Sequence, residues 1–413
     1  MPAVEHNKLL SKLATTPYNL YINSIFGSVT IANANNTAFV SPNIDTFYTY
    51  GILDIRYEPV VITIPPIEEN RYFSIQLLDI FTNANYLGSV SNRTEGKYIV
   101  AREDWNGTVP IGIKGVVRVP TSVVLALGRI QVFDPYSDND TIAANLTKAA
   151  SFPVQTLSNF TGDAPPYDYV ALNWDNSTIN YSSIAEDADV EKFFQIFNYI
   201  IQYQLLSDTD KKVLKGFEAL HLGANVSFNK ADFTADEWTE IKEGAKEAKI
   251  DLLKAPSKLA GGWTISPDNT ANWGEDYVLR ALAAWFGIYG NTKEEARYFI
   301  SRTDEQGNAY NGSSSNYTIT FASEPSVKYF WSLTLYKPNN FFYDNTIGRY
   351  GIRSIDNITK DTNGSFTLYI QHEKPSDDKV NNWIPAPDDN FHLAFRLYGA
   401  IGDNDLPIAV KSD

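Results

Sequence analysis

The feature that most constrains this fold is a change in hydrophobic period along the chain, from strand-like to helical and back. From about residue 28, short runs of β-branched and aromatic residues are bounded by Pro, Gly or Asn, the clearest being 59–64, 71–78, 97–100 and 122–127. Runs of this kind at regular turn spacing are typical of a β-sandwich or barrel. The first large unit is therefore predicted to consist of β-sheets.

A helical pattern replaces the strand pattern in the middle of the chain. Apolar residues three to four apart predict helices over 190–201, 207–222 and 275–288. Thr234 followed by Glu237 forms a capping box, in which the hydroxyl accepts a backbone N–H while the carboxylate reaches back. Residues 292–295 repeat that pattern and predict another helix start.

From residue 298 the strand pattern returns. Apolar and polar residues alternate over 316–321, 329–336, 365–371 and 391–398. This alternation predicts half-buried antiparallel strands with one solvent-exposed face. Elsewhere, residues 7–27 have weak helical character, Asp140 is placed to cap a helix over 141–149, and 151–183 is predicted to be a long surface connection.

These patterns predict a multidomain protein of mixed α and β structure. The chain has 413 residues, more than one domain usually holds. The predicted parts are an N-terminal helical segment (1–27), a β-domain with a long connection (28–183), a helical domain (184–297) and a C-terminal β-domain (298–413).

The composition excludes several classes of function. The net charge is −15, so neither nucleic acid nor an anionic membrane surface is expected to attract the chain. No apolar run approaches the roughly 20 residues that a membrane-spanning helix needs. The chain has no cysteine and only four histidines, none at metal-ligand spacing. No histidine-bound metal and no other cofactor is predicted, a hard-cation site of carboxylates and carbonyls is left open, and so is association of identical copies.

Asparagine sequons indicate the compartment. The Asn-x-Ser/Thr acceptors are Asn35, Asn92, Asn106, Asn139, Asn145, Asn159, Asn176, Asn180, Asn225, Asn311, Asn316, Asn357 and Asn363. Roughly five would be expected by chance, so the excess predicts a secreted glycoprotein. The alternative is an Asn-rich chain without glycans. Residues 1–20 have neither the basic leader nor the apolar core of a signal peptide.

The common catalytic signatures are missing from the sequence. It has no Gly-x-Ser-x-Gly elbow, no Walker loop, no His-Glu-x-x-His motif and no Rossmann glycine pattern. A serine nucleophile with a histidine base would have to use His372 or His392. Both histidines lie in predicted strands or beside them, where a hydrogen-bonded structural ring is the competing interpretation.

The stretch 41–48 combines turn formers with a carboxylate, an amide and a phenol. Pro42 favours an extended Ser41, while Asn43 and Asp45 can bond nearby backbone through their side chains. Two interpretations are open: a structural turn that leads into a sheet, and the polar floor of a binding cleft that includes Tyr48.

Other polar side chains lie within the predicted strands and near their ends. The candidate binding residues are Asn43, Gln76, Trp331, Tyr336, Gln371, Trp383 and Arg396, and the candidate catalytic residues are Asp45, Tyr48, Asp79 and Arg349. Arg349 and Arg396 can hold a ligand carboxylate, or pair internally with Asp45 or Asp79. Trp383, in a proline-rich loop, can stack on a ligand ring or close the end of a sandwich.

At these residues the chain resembles a paired family, domain of unknown function 1254 with domain of unknown function 1214. The first part carries Asn43-x-Asp45-Thr46-x-Tyr48 and the run 71–79. The second part starts near 270 and carries the runs 330–336 and 382–387, with Arg349-Tyr350 and Arg396-x-Tyr398. The resemblance implies an immunoglobulin-like β-sandwich, a helical middle domain and a jelly-roll-like C-terminal β-domain, and it implies no activity.

Two functions from different classes follow from the sequence. The first is a secreted, metal-independent enzyme of hydrolase or lyase type, acting on a small polar or amphiphilic molecule between the two β-domains. Asp45 or Asp79 would be its general base, Tyr48 a proton donor, Arg349 the oxyanion or carboxylate partner, and Trp383 a stacking wall. The second is a non-catalytic ligand-binding or surface glycoprotein.

Overall fold

The structure is a computed structural model of the full chain. It describes all residues except 15–20, 28, 36–39, 91–94, 134–143, 146–151, 166, 173–186, 255–257, 261, 287–288, 403, 405 and 413. No helix among the residues described is long and apolar enough to cross a membrane.

Two sheets form the N-terminal part of the chain. One contains strands β1 (Ile25–Gly27), β2 (Thr46–Asp54), β4 (Phe73–Leu78), β5 (Ala84–Leu87) and β8 (Val123–Gln131). The other contains β3 (Val60–Ile64), β6 (Gly96–Arg102), β7 (Ile113–Val119) and β9 (Val154–Thr156). The strand orders are β1-β2-β8-β4-β5 and β7-β6-β3-β9. Apolar side chains from both sheets form one buried core, as expected for face-to-face packing.

Two further sheets form the C-terminal part. The larger contains β10 (Lys258–Ala260), β11 (Trp263–Ile265), β12 (Ala296–Ser301), β14 (Val327–Tyr336), β15 (Gly351–Arg353) and β18 (His392–Ala400). The smaller contains β13 (Asn316–Phe321), β16 (Phe366–Gln371), β17 (Trp383–Pro385) and β19 (Val410–Ser412). The orders are β10-β11-β12-β18-β14-β15 and β17-β16-β13-β19, again around one core. The larger sheet thus takes two strands from the segment predicted to be helical.

The described α-helices are Pro2–Ala14, Leu157–Thr161, Asp187–Ile201, Asp208–Lys215, Ala235–Leu253 and Tyr277–Phe286. The capping box is confirmed, because Thr234 Oγ1 accepts the Glu237 N–H at 3.3 Å and Glu237 Oε2 accepts the Thr234 N–H at 2.8 Å. The helix predicted to reach 222 ends at Lys215, and a 3-10 turn follows over Glu218–Leu220. Short 3-10 turns also occur at Lys230–Asp232 and Val380–Asn382.

The second predicted capping box is wrong. Residues 292–295 form a turn that leads directly into strand β12. The Glu295 carboxylate accepts hydrogen bonds from the Tyr72 hydroxyl at 2.7 Å and the Val90 N–H at 2.9 Å instead of capping a helix. These tertiary contacts outweigh the local pattern.

The structure also differs from three smaller predictions, or extends them. The N-terminal helix spans Pro2–Ala14, so it begins before the predicted 7–27 segment. The connection predicted over 151–183 contains strand β9 and the helix Leu157–Thr161, which pack on β3. Of the predicted helix over 141–149, residues 144 and 145 are described and are helical, and the rest lies outside the described residues.

The six-stranded sheet has one apolar and one largely polar face, whereas the second face of the five-stranded sheet is polar only in part, because Val123, Leu125 and Leu127 on it pack with the N-terminal helix. Strand neighbours share a face, so the pairs Tyr48–Arg129 and Arg129–Ser74 place these three side chains in one row of the five-stranded sheet. In the six-stranded sheet, a corresponding row contains Tyr298, Arg396, Ser332 and Arg353. The polar faces of both sheets contribute to the contact between the two halves of the molecule.

The predicted solvent-exposed face is therefore wrong for β18 and for most of β14. Every residue of β18 except its last is buried, and so are the last seven residues of β14. Their apolar faces pack in the core, while their polar faces are covered by the N-terminal half of the protein. Alternation in the sequence shows that two faces differ, but it does not show what covers the polar one.

Candidate functional site

The stretch 41–48 is both a turn and a contact between the two halves. Asn43 Oδ1 accepts the backbone N–H groups of Asp45 at 3.1 Å and Thr46 at 3.0 Å, which holds the turn. The Asn43 Nδ2 group donates to the Tyr398 hydroxyl at 3.2 Å, across to the C-terminal part. The turn predicted for this stretch is therefore present, and the binding-cleft interpretation stays a prediction.

Asp45 is buried at this contact. Its Oδ2 accepts a hydrogen bond from the Ser332 hydroxyl at 2.7 Å, and its Oδ1 has no hydrogen-bond partner in the described part of the chain. Burial raises the pKa of Asp45 from 3.8 to about 6, although the Arg353 charge, the Ser332 hydrogen bond and the Arg396 charge act in the opposite direction. A buried carboxylate with a free oxygen and a pKa near neutrality can exchange a proton.

Asp79 has a different environment. Its carboxylate accepts hydrogen bonds from the Phe81 N–H at 2.8 Å, the Asn83 N–H at 2.9 Å and Asn83 Nδ2 at 2.8 Å. Burial raises the pKa of Asp79 to about 6, opposed by these hydrogen bonds. The same turn places Thr82 at a φ of 65° and is covered by Trp273, whose indole N–H donates to Thr82 O at 3.1 Å. Asp79 therefore stabilises a turn.

Two buried arginines approach the interface from opposite sheets. Arg396 Nη1 donates to Thr334 Oγ1 at 3.1 Å, and Nη2 donates to the Ser41 carbonyl and the Tyr336 hydroxyl, each at 2.9 Å. Arg129 Nη1 donates to Gln76 Oε1 at 2.7 Å and Asn291 Oδ1 at 3.3 Å. All five acceptors are neutral, and neither guanidinium forms an ion pair within the described residues.

Three phenols lie near both guanidiniums. Tyr48, Tyr298 and Tyr398 each interact electrostatically with Arg129 and with Arg396. Tyr398 is buried, whereas Tyr48 and Tyr298 are half-buried. We call these five residues the phenol–guanidinium cluster.

The hydroxyls of the phenol–guanidinium cluster accept hydrogen bonds from amides. Asn43 N–H approaches the Tyr48 oxygen at 3.4 Å, and Asn43 Nδ2 donates to Tyr398 at 3.2 Å. Asn291 Nδ2 donates to Tyr298 at 2.5 Å. Within the described ranges none of the three hydroxyls donates to an acceptor, so each retains an O–H that can still donate.

The sequence predicted two members of this cluster, Tyr48 and Arg396, and missed Arg129, Tyr298 and Tyr398. Four further predicted residues lie at the same contact between the two halves: Asn43, Asp45, Gln76 and Tyr336. Asn291, which bonds Arg129 and Tyr298, was not predicted as a site residue. A signal existed for two of the missed residues, because Tyr398 lies two residues from Arg396 on one strand, and Arg129 is the only charged residue of β8.

The other predicted site residues lie elsewhere. Arg349 Nη1 donates to the carbonyls of Val380 at 2.6 Å and Trp383 at 3.1 Å, so it holds a loop, and no contact to Asp45 or Asp79 is formed. The Trp383 indole N–H donates to Gln371 O at 2.9 Å. The Gln371 side chain donates to the Glu373 carbonyl at 2.8 Å.

Trp331 is a core residue. Its ring stacks on Phe321 and Phe366, with ring centroids 5.6 and 5.7 Å apart, and it is fully buried. The structure therefore places Trp331 on the apolar face of its sheet, away from the phenol–guanidinium cluster.

The two histidines predicted as possible bases both contact groups of the fold rather than a serine nucleophile. His392 is buried and its ring stacks on Tyr336; burial, with the charges of Arg302 and Arg396, lowers its pKa to about 4. His372 Nδ1 lies 2.9 Å from the Ala386 carbonyl oxygen, which can only accept, so this nitrogen carries a proton. Neither histidine is hydrogen-bonded to a serine in the described structure.

Two surface grooves lie on the C-terminal half and share His372. One has a volume of about 390 Å³ and includes Asp344 and Trp383, and the other has about 660 Å³ and includes Glu373 and Asp388. Neither is lined by a residue of the phenol–guanidinium cluster. The phenol–guanidinium cluster is a better candidate binding site than these open grooves. Its buried charges need partners of opposite charge, whereas the exposed carboxylates of the grooves are solvated by water. Within the described residues, no group of three or more His, Cys, Asp or Glu side chains could hold a metal ion.

Two family models match the chain on either side of its helical segment. Residues 22–152 match DUF1254 and residues 295–401 match DUF1214, each described as a protein of unknown function. The chain belongs to this paired family. The predicted resemblance is confirmed, and each matched part contributes residues to the phenol–guanidinium cluster.

Solved structures share the fold. The VPA0106 protein from Vibrio parahaemolyticus is 22% identical with a TM-score of 0.72, and the match covers 100% of this chain and 97% of that one. An uncharacterised protein from Burkholderia cenocepacia is 11% identical with a TM-score of 0.51, covering 99% of this chain and 87% of that one. No curated protein matches the chain. At these identities the likeness shows the fold alone.

Proposed function

We propose that the protein binds a small polar or amphiphilic molecule at the phenol–guanidinium cluster, between its two central sheets. One observation carries this proposal: side chains from both family domains converge there with hydrogen-bond donors that the described fold does not use. A purely structural interface is expected to satisfy its buried polar groups internally. Half-buried Tyr48 and Tyr298 provide aromatic surface at the edge of the site.

Binding without catalysis is the function that the geometry supports best. Of the two predicted bases, Asp79 is fully occupied by its own turn, and the predicted oxyanion partner Arg349 holds a distant loop. The protein would then act as a ligand-binding protein, the second of the two functions expected from the sequence.

A metal-independent hydrolase or lyase is the second candidate, favoured by Asp45. This carboxylate has one oxygen without a partner in the described structure and a pKa near 6, which suits a general base. Asp45 would take a proton from the substrate or from water, and one of the cluster's phenols would donate a proton or hydrogen bond. Arg396 lies near enough to interact with the Asp45 charge and would orient the substrate.

A ligand screen with matched variants tests the proposed site. Thermal unfolding of the wild type, Tyr48→Phe and Tyr298→Phe would be measured against a panel of small acids, amides, alcohols and amines. We expect at least one class to raise the wild-type Tm, and the rise to fall in both variants, because each loses one O–H donor. Ligand-induced shifts that are identical in all three proteins would contradict the proposal.

Secretion and glycosylation remain part of the proposal. The described sequon asparagines Asn35, Asn106, Asn145, Asn159, Asn225, Asn357 and Asn363 are exposed, and Asn311 and Asn316 are half-buried. Asn92, Asn139, Asn176 and Asn180 lie outside the described residues. Exposed acceptors suit glycan attachment. Intact-mass measurement before and after glycosidase treatment of the protein from its native source would detect the glycans.

The finer fold names are also proposed. Two packed sheets in each half are consistent with an immunoglobulin-like first domain and a jelly-roll-like last domain, as the resemblance implies. The parallel pairs β6–β7 and β16–β17 depart from purely antiparallel sheets. Strand-by-strand superposition on reference domains of each type would decide these names.

A further inference from the structure

The phenol–guanidinium cluster contains two positive charges that are buried without ion-pair partners in the described structure. Arg129 is 5% exposed and Arg396 is 4% exposed. An arginine side chain stays protonated in a protein, so both charges persist. Buried charges are normally paired, because removing an unpaired charge from water is unfavourable.

The nearby acids are held by other groups. Asp45 bonds Ser332, and Glu295 accepts hydrogen bonds from the Tyr72 hydroxyl and the Val90 N–H. Two other buried arginines do have acidic partners, since Arg353 pairs with Asp356 at 2.6 Å and Arg71 with Glu68 at 2.5 Å. Arg129 and Arg396 differ from them in lacking such a partner within the described residues.

The hydrogen bonds of the cluster show the same imbalance. The three phenol hydroxyls already accept amide N–H groups and have O–H groups left to donate. The guanidiniums also have more N–H groups than their neutral acceptors use. Apart from the free Oδ1 of Asp45, the site thus has more donors and positive charge than it has acceptors and negative charge.

We propose that the ligand carries a carboxylate group, which the cluster binds through Arg129 and Arg396 with the phenol O–H groups as further donors. A carboxylate has two oxygens with about four acceptor positions and matches the planar fork of a guanidinium. The two arginines come from opposite halves of the molecule, so one small anion would neutralise charge at the contact between them. This inference rests on the proposed function and names its ligand class.

The negative net charge of the whole protein makes local positive charge necessary for binding an anion. At −15, the long-range field does not draw anions to the surface, so recognition of an anion requires local positive charge. Arg129 and Arg396 supply that charge inside the fold, where the low dielectric strengthens their interaction with a bound anion.

Calorimetric titration with matched ligand pairs tests the inference. The probes are benzoate with benzamide, succinate with succinamide, and phenyl phosphate, titrated into the wild type, Arg129→Gln, Arg396→Gln and the surface control Arg118→Gln. We expect a wild-type preference of about tenfold or more for a carboxylate over its amide, because charge-assisted hydrogen bonds are the stronger ones. Either cluster variant should remove the preference, and Arg118→Gln should retain it.

Tyr298→Phe provides a variant in which both arginines remain. It is expected to lower carboxylate affinity about tenfold through the lost O–H donor. The inference would be overturned if amides bound as tightly as acids, if phenyl phosphate were preferred to the carboxylates, or if the arginine variants left the preference unchanged. Neutral ligands that bind in a Tyr298-dependent way would leave the proposed function standing while the carboxylate assignment fails. Absence of any Tyr298-dependent ligand would instead contradict the proposed function itself.

Discussion

The two faces of the six-stranded sheet show how one set of strands can both stabilise a fold and build a site. On the apolar face, Trp331 and Phe395 pack against Phe321 and Phe366 in a fully buried core. On the polar face, Tyr298 and Arg396 face the other half of the protein. The Tyr298 O–H and some N–H groups of Arg396 have no acceptor among the described residues. The difference leads us to expect that stability resides mainly on the first face and that the proposed ligand recognition uses the second.

Truncation on the apolar face is expected to have the largest effect. Trp331→Ala removes a fully buried ring and leaves a cavity, so we expect the free energy of unfolding to fall by about 3–5 kcal/mol. Urea denaturation would measure the loss, with Ile111→Ala as the control because Ile111 is 100% exposed. A loss no greater than that of the control would show that the apolar face is not the main source of stability.

The two buried aspartates separate a structural carboxylate from a site carboxylate. Asp79→Ala leaves the Phe81 and Asn83 N–H groups and the Asn83 amide without an acceptor, whereas Asp45→Ala removes one hydrogen bond, from Ser332. We expect Asp79→Ala to be less stable than Asp45→Ala by about 2 kcal/mol in urea denaturation at pH 7. Equal free energies of unfolding for Asp79→Ala and Asp45→Ala would contradict the assignment of Asp79 as structural and Asp45 as a site residue.

The pH dependence of Asp45→Asn sharpens the same distinction. Burial raises the folded-state pKa of Asp45 from 3.8 to about 6, so the folded protein binds this proton more tightly than the unfolded chain does. Wild-type stability therefore loses this contribution as the pH rises from about 4 to about 6, and the variant does not. The stability of Asp45→Asn relative to wild type should rise by on the order of 2 kcal/mol over that interval and then level off.

The quantity to measure is the difference in the free energy of unfolding between the wild type and Asp45→Asn. Burial lowers the pKa of His6 to about 3, and this group destabilises the folded state as the pH falls below 6.5 in both proteins alike. Denaturation curves at pH 4, 5, 6 and 7.5 would give the difference. A constant difference would mean that Asp45 titrates in the folded protein as it does in the unfolded chain.

Two tyrosines within the polar face should differ by a smaller amount. The Tyr72 hydroxyl donates to Glu295 at 2.7 Å, whereas the Tyr398 hydroxyl only accepts from Asn43, whose Nδ2 also reaches Thr46 Oγ1 at 3.0 Å. We expect Tyr72→Phe to cost about 1–2 kcal/mol and Tyr398→Phe less than about 0.5 kcal/mol without ligand. A larger loss for Tyr398→Phe in thermal unfolding would make its hydroxyl part of the structure.

Much of the fold was accessible from the sequence, because local patterns determine strands and helix starts. The capping box of Thr234 and the alternation around Arg396 both predicted elements that the structure contains. The partner of each strand is set by contacts distant in sequence, so β10 and β11 were missed and Glu295 was assigned to a helix cap. Periodicity carries no information about such contacts.

The candidate site was predicted only in part, because it too is formed by residues that are distant in sequence. Polar residues at alternate strand positions, such as Asn43 and Arg396, could be proposed as candidates from the sequence. Trp331 and Arg349 were equally plausible, but they lie on the apolar face and at a distant loop. Arg129 was missed because it is a single charge in an apolar run, and only the structure shows that its neighbours are neutral.

The most direct test of the account is the stability of Arg129→Gln without ligand. Removing one member of a buried ion pair costs about 3–5 kcal/mol, because it leaves the other charge unpaired. Arg129 has neutral partners, so we predict that loss of its hydrogen bonds is largely offset by relief of a buried charge, with a net change below about 1 kcal/mol. A loss of 3 kcal/mol or more, measured by urea denaturation at pH 7, would show that the guanidinium is a structural element of the interface and would contradict its assignment to a binding site.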